Sequence, residues 1–242
     1  MRRLFPTLLV LLLPTAMAHE MWLQPRTSLT QPWQIDTVVG QNFKGATGVW
    51  IDSNVARAEA LTDSGSRPVV GRYGDLPAIT LQTTQDLERV VYQTQPELLR
   101  YNDPEKFQSF GEHKGYPNLL ARHQARGLAG KIIEAYTRYA KLVVGQDQAD
   151  SLALEWVLSD DRRHAQLHWQ GQPLVGHQVT WYHEDEQQSL ITDGEGRVVL
   201  PSVARGWVLL DAVVIQAIEP GALDALPQAQ WHSHWASTVF AP

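Results

Sequence analysis

Thr192-Asp193-Gly194-Glu195-Gly196-Arg197 is the stretch on which the fold reading turns. Asp-Gly followed by a second glycine supplies the positive φ angles that tight turns need. After it, Val198-Val199-Leu200 and Gly206-Trp207-Val208-Leu209-Leu210 read as strands, and before it so does Val179-Thr180-Trp181-Tyr182. The stretch therefore predicts a hairpin. Working outward, Ala165-Gln166-Leu167-His168-Trp169 leads into the turn-rich Gln170-Gly171-Gln172-Pro173-Leu174, and Trp235 to Phe240 reads as the last strand. Short strands with regular turn signals predict an antiparallel β-sandwich of immunoglobulin or transthyretin-like type over 150–242, the clearer part of a C-terminal sandwich region spanning 131–242.

Residues 19–99 carry the same pattern. Trp33 to Val39, Gly48-Val49-Trp50-Ile51 and Ala78-Ile79-Thr80-Leu81 are short apolar or alternating runs, with turn residues at Asp63–Ser66 and Gly71–Asp75. This predicts a first β-sandwich region. Residues 100–130 differ and read as a partly helical insertion. Asn102-Asp103-Pro104 is a helix start, with a capping side chain and a proline in the first turn, and Leu119 to Arg126 suits a second short helix. Lys131 to Val144 fits either a helical stripe or a long strand; its β-branched and aromatic content favours the strand. The fold class expected is mainly β, with two sandwich halves and a helical insertion between them.

The first 18 residues read as a secretory signal peptide. Arg2 and Arg3 form the charged start, Leu4 to Leu13 the apolar run, and Ala16-Met17-Ala18 the small-x-small cleavage pattern. Cleavage after Ala18 exposes His19 as the first residue of a periplasmic protein. A terminal histidine presents an α-amine and an imidazole that together chelate a transition metal. The chain has no cysteine, which excludes disulfides, thiolate metal sites and cysteine nucleophiles. Its net charge of −6 and lack of a basic cluster argue against a nucleic-acid partner. There is no Gly-x-Ser-x-Gly elbow and no His-Glu-x-x-His helix, so hydrolase readings are weak.

Several segments together resemble a family of exported bacterial proteins described as periplasmic components of cobalt or nickel transport (NikM-like). The resemblance rests on His19-Glu20-Met21-Trp22-Leu23-Gln24-Pro25, Arg138-Tyr139-Ala140-Lys141, Gly171 to Gly176, Thr192 to Gly196, and Ser233 to Phe240. The Gly-x-Pro-Leu-x-Gly and Thr-Asp-x-x-Gly segments also look like carboxypeptidase-regulatory-like sandwiches. The resemblance implies two β-sandwich halves and a periplasmic role in divalent-metal uptake or handling, with an inner- or outer-membrane metal transporter as partner. His19-Glu20 stands where that family start is associated with His-Asp.

Nine histidines are present. His19 leads as a ligand. His232 and His234 are two apart, so on a strand both imidazoles share one face, and imidazole suits nickel, cobalt and copper. His19, His232 and His234 are therefore the candidate metal ligands. The pairs His164/His168, His177/His183 and His113/His123 read as structural or solvated. Arg138 and Lys141 read as members of a structural ion pair with Glu134 or Glu155. The expected function is non-catalytic metal binding. One alternative is a β-sandwich module docking a transporter or a surface polymer; a remoter one is an oxidative enzyme holding copper in a histidine brace.

Overall fold

The computed structural model describes residues 19–26, 32–82, 86–128 and 131–242; the signal-peptide reading of residues 1–18 lies outside them. The N-terminal part supplies β1 (Glu20–Pro25), β2 (Trp33–Gln41), β3 (Lys44–Gly48), β4 (Val55–Thr62), β5 (Gly65–Pro68), β6 (Ile79–Leu81), β7 (Leu87–Thr94) and β8 (Glu97–Tyr101). Two helices follow, α1 (Pro104–His113) and α2 (Leu119–Ala125). The rest is β9 (Ile132–Val143), β10 (Leu154–Leu158), β11 (His164–Trp169), β12 (Gln172–Pro173), β13 (Gln178–His183), β14 (Glu186–Ile191), β15 (Arg197–Val199), β16 (Val208–Ala217) and β17 (Trp231–Phe240). The protein is mainly β, as expected. Among the described residues no helix is long and apolar enough to cross a membrane.

A nine-stranded sheet organises the fold, in the order β14-β13-β16-β17-β9-β7-β4-β5 with β8 also paired to β9. Its centre is the parallel pair β9–β17, in register from Trp231↔Glu134 to Phe240↔Val143. Two four-stranded sheets flank it: β1-β2-β3 with β6, and β10-β11-β12 with β15. Residues 19–99 and 131–242 each contribute one small sheet and part of the large one. The two expected sandwich halves are thus built on opposite faces of a shared sheet.

Side chains alternate across a strand, and here that alternation sorts three cores. On one face Ala140, Leu142, Tyr182, Leu209 and Val239 pack against Trp22, Leu23, Ile35 and Ile79 of the first small sheet. Farther along that face, Ile132, Val213, Ile215, Trp231 and Trp235 pack against Phe107, Phe110 and Leu119 of the helices. On the other face Tyr139, Val143, Trp181, Leu210, Ala236 and Phe240 meet Leu154, Trp156, Ala165 and Leu167 of the second small sheet. All ten residues of β17 are buried, because each face has a cover.

The helical insertion forms as read. The Asp103 carboxylate caps α1 by accepting from the Glu105 amide at 3.0 Å, with Pro104 in the first turn. Gly111 lets α2 approach closely, since a Cβ there would lie 2.8 Å from Leu119 Cβ. Residues 132–143 form a strand with partners on both sides.

One expectation is corrected. The turn at 192–197 forms: Asp193 Oδ1 accepts from the Glu195 and Arg197 amides at 2.9 and 2.8 Å, and Gly196 has φ +73°. It does not close a hairpin. β14 pairs with β13, while β15 pairs with β11, so the turn carries the chain from the large sheet to a small one. The reason is burial: Val198 and Leu200 fill the second small sheet's core. The hairpin lies one connection earlier, between β13 and β14, where Glu184 takes φ +50°.

Lys141, on β9, is buried with its carboxylate partners. Its Nζ lies 3.1 Å from Asp147, 3.2 Å from Asp150 and 3.5 Å from Glu155, and donates to the Trp156 carbonyl at 2.8 Å. Arg89 Nε donates to both oxygens of Asp150 at 2.9 Å. The pairing of Lys141 with Glu155 matches the sequence reading. Removing a single partner from such a network leaves buried charge uncompensated. Lys141→Met is expected to lower stability by roughly 3–5 kcal/mol, seen as a lower urea midpoint; a loss below about 1 kcal/mol would show that the network contributes little.

Candidate metal centre

His232 and His234 share one face of β17, as their spacing requires, and it is the face covered by the second small sheet. Each is 8% exposed. Their ring centroids are 3.9 Å apart with the planes tilted by 38°. Across the parallel pairing, β9 supplies a partner to each ring. Thr137 Oγ1 is 2.9 Å from His232 Nε2, and Tyr139 Oη is 3.0 Å from His234 Nδ1. Trp169 meets the His234 ring edge-on at 4.7 Å. These contacts hold both rings in place and do not engage His232 Nδ1 or His234 Nε2.

Electrostatics keeps the pair neutral. Burial pushes His232 down to about 4. Burial, with the neighbouring His232, pushes His234 down to about 3. A neutral imidazole has a lone pair ready for a metal ion. An outer hydrogen bond that fixes ring orientation is the usual support of a histidine ligand. Burial also raises Tyr139, to about 12, so it stays a phenol and supports His234 without becoming an anionic ligand. Among the described residues no group of three or more histidines and carboxylates is placed to hold a metal ion. The pair by itself offers two imidazole donors, fewer than the four of a closed structural site.

His19 does not join the pair. Its carbonyl accepts from Arg138 Nε at 3.1 Å, and Arg138 lies on the same β9 face as Ile132, Ala140 and Leu142, toward the first small sheet and the helices. His232 and His234 lie on the opposite face, so the three predicted ligands form no single centre. The juxtaposition needed for a histidine brace, His19 beside one of the pair, is not built. The physical cause is the entry of the chain: β1 pairs with β2 in the sheet that covers the far side.

Four of the remaining histidines have structural partners. His177 Nε2 is 3.1 Å from the Val213 carbonyl and His183 Nε2 is 2.8 Å from that of Arg205. His123 Nδ1 accepts from Trp231 Nε1 at 3.1 Å, and His113 Nδ1 is 2.6 Å from the Ser109 carbonyl. His164 is exposed near Asp161 at 3.9 Å.

Sequence reasoning missed two buried acidic sites on the helix side. The Tyr101 hydroxyl donates to Glu134 Oε2 at 2.6 Å, the Ser233 hydroxyl donates to the other oxygen, and Trp235 Nε1 donates to Ser233 Oγ at 2.9 Å. Burial raises Glu134 to about 7, against the pull of Ser233, Tyr101 and Arg138. The second site joins Glu20, Lys114 and Asp211. The signal for both is a charged residue inside an apolar strand, Glu134 in β9 and Asp211 in β16.

Comparison with protein families, with curated proteins and with solved structures finds no match for this chain.

Both histidines have a folded pKa below the ordinary 6.5. The unfolded chain thus binds protons that the folded chain refuses, and stability falls as pH drops from about 6.5 to about 4. Glu134 acts in the opposite sense: its raised value favours the folded state as pH falls from about 7 toward 4.5. Comparison with a His232→Gln, His234→Gln double variant isolates the histidine contribution. Between pH 7 and pH 4 the natural protein is expected to lose roughly 3 kcal/mol or more relative to the variant in urea denaturation. Parallel pH profiles would show that the rings are not held neutral.

Proposed function

We propose that this protein is an exported, periplasmic transition-metal-binding protein that takes nickel, cobalt or copper reversibly on His232 and His234 and hands it to a membrane metal transporter. The observation that carries this reading is the buried, neutral imidazole pair with an outer partner on each ring. The signal-peptide pattern at residues 1–18 and the resemblance to the NikM-like family support it. Two side-chain ligands leave the remaining coordination positions to water or to an acceptor's groups. That property favours delivery over permanent storage. Thr137 and Tyr139 set ring orientation, and Trp169 shields one side of His234. Protonating the imidazoles competes with the metal, so acid releases it.

The test is titration of the protein beginning at His19 with Ni²⁺, Co²⁺, Cu²⁺ and Zn²⁺, followed by calorimetry and by tryptophan fluorescence, to which Trp169 contributes. One ion per chain is expected for at least one of these metals. The His232→Ala, His234→Ala double variant should lose binding, and Tyr139→Phe should weaken it by about tenfold through loss of ring orientation. A chain with one extra residue before His19 should bind as well as the natural one. Undiminished affinity in the double histidine variant overturns the assignment. Loss of binding on N-terminal extension instead places the metal at His19.

A further inference from the structure

Neutral groups surround the two imidazoles of β17. Thr137 and Tyr139 hold one nitrogen of each ring, at 2.9 and 3.0 Å, and neither holder carries a charge. The Tyr139 ring lies nearly parallel to that of His234 at 6.0 Å, and Trp169 meets the same imidazole edge-on at 4.7 Å. What lowers His232 is burial, and what lowers His234 is burial with the neighbouring His232; no carboxylate enters either balance. Carboxylates on this side of the sheet gather around Lys141, farther along β9, where Lys141 and Arg89 hold Asp147, Asp150 and Glu155. An ion on the pair therefore has two neutral nitrogen donors and no protein anion beside it.

Both the number of donors and the missing anion discriminate among ions. The cost of taking an ion out of water rises with the square of its charge, so at equal size a divalent ion is penalised about four times as heavily as a monovalent one. With no carboxylate to offset it, that difference acts in full. Nickel, cobalt and zinc ions also require at least four donors. Two imidazoles supply half of that at most, and the 8% exposure left to each histidine gives little room for the waters that would supply the rest. Cuprous copper carries one charge, has a filled d shell that imposes no fixed geometry, and is satisfied by two nitrogens placed across it. Imidazole suits copper, whereas hard monovalent cations such as sodium and potassium prefer oxygen.

We infer, on the reading of His232 and His234 as a metal site, that the pair holds a single cuprous ion between His232 Nδ1 and His234 Nε2. These are the nitrogens that Thr137 and Tyr139 leave free, on rings whose centroids are 3.9 Å apart. The ion enters as Cu⁺ and leaves as Cu⁺, so no electron changes hands at the site. Two-coordination leaves the ion open to a third ligand, through which an acceptor takes it over. An environment that penalises the second positive charge also resists oxidation of the bound ion.

The test compares ions on the protein beginning at His19. Cu⁺ is supplied without oxygen as its acetonitrile complex and competed against bathocuproine disulfonate. Ag⁺, with the same charge and a filled d shell, is followed by quenching of tryptophan fluorescence, and Ni²⁺, Co²⁺, Cu²⁺ and Zn²⁺ are titrated alongside. Binding at the pair is the part that the His232→Ala, His234→Ala double variant loses, so an ion taken at His19 is not counted. One Cu⁺ or one Ag⁺ per chain is expected there, tighter than any divalent ion by about a hundredfold or more, because the burial penalty climbs steeply with charge. X-ray absorption of the Cu⁺-loaded natural protein, which requires no variant, should show two nitrogen donors and no sulfur. A divalent ion held by the pair within about tenfold of Cu⁺ overturns the cuprous assignment and leaves the metal site standing. A sulfur donor, or a Cu⁺ ion with further protein donors, has the same effect. If no ion depends on the pair for binding, both the cuprous assignment and the metal site fall.

Discussion

The parallel pairing of β9 with β17 is the constraint on which the rest of the structure depends. It joins a strand from the middle of the chain to its last strand over ten register positions. Parallel neighbours need a long crossover, and here the crossover is the whole second small sheet together with β13, β14 and β16. Because this pair is central, both of its faces must be covered. The first small sheet and the helices cover one face, and the second small sheet covers the other. A strand covered on both faces has no solvent side on which to place polar residues. Every His, Ser, Thr, Glu and Lys in it therefore needs an internal partner.

Those partners differ by face, and the difference creates two environments. On the side of the second small sheet, His232 and His234 meet neutral groups, Thr137 and Tyr139, and one aromatic ring. Burial then acts on the imidazoles without a compensating carboxylate, and they stay unprotonated. On the other side, Glu134, Glu20 and Asp211 face hydroxyls, a single lysine and tryptophan edges. Burial there raises Glu134 and Asp211 instead. The same desolvation thus produces a neutral imidazole pair on one face and carboxylates with raised pKa values on the other.

The helical insertion belongs to this arrangement. Phe107, Phe110 and Leu119 seal the lower half of β9 and β17, while the residue ending α1, Lys114, reaches into the sheet. A lysine at a helix C-terminus is placed favourably by the helix dipole, and here the same residue neutralises part of the buried acidic group. Tyr101 and Lys114, both from this stretch, help enclose Glu134 and Asp211, whose burial raises them, although the charge of Lys114 itself draws Asp211 down. The insertion thus sets the electrostatics of one face, while the second small sheet sets those of the other.

Local chemistry was legible in the sequence: the strands by alternation and turn residues, the start of α1 in Asp103-Pro104, the strand over 131–144, and the common face of His232 and His234. Each depends on a period or a cap spanning a few residues. The pairing of Lys141 with Glu155 was also within reach, since a lysine inside an apolar strand must find a carboxylate. The tertiary structure alone decided that the turn at 192–197 links two sheets, that β9 and β17 run parallel, that His19 enters on the face away from the histidine pair, and that Lys114 closes on Glu20 and Asp211. Period and propensity assign a side chain to one face of its own strand. Which face of which sheet that becomes is settled by covering apolar area on both sides at once, a balance that sums over residues far apart in the chain.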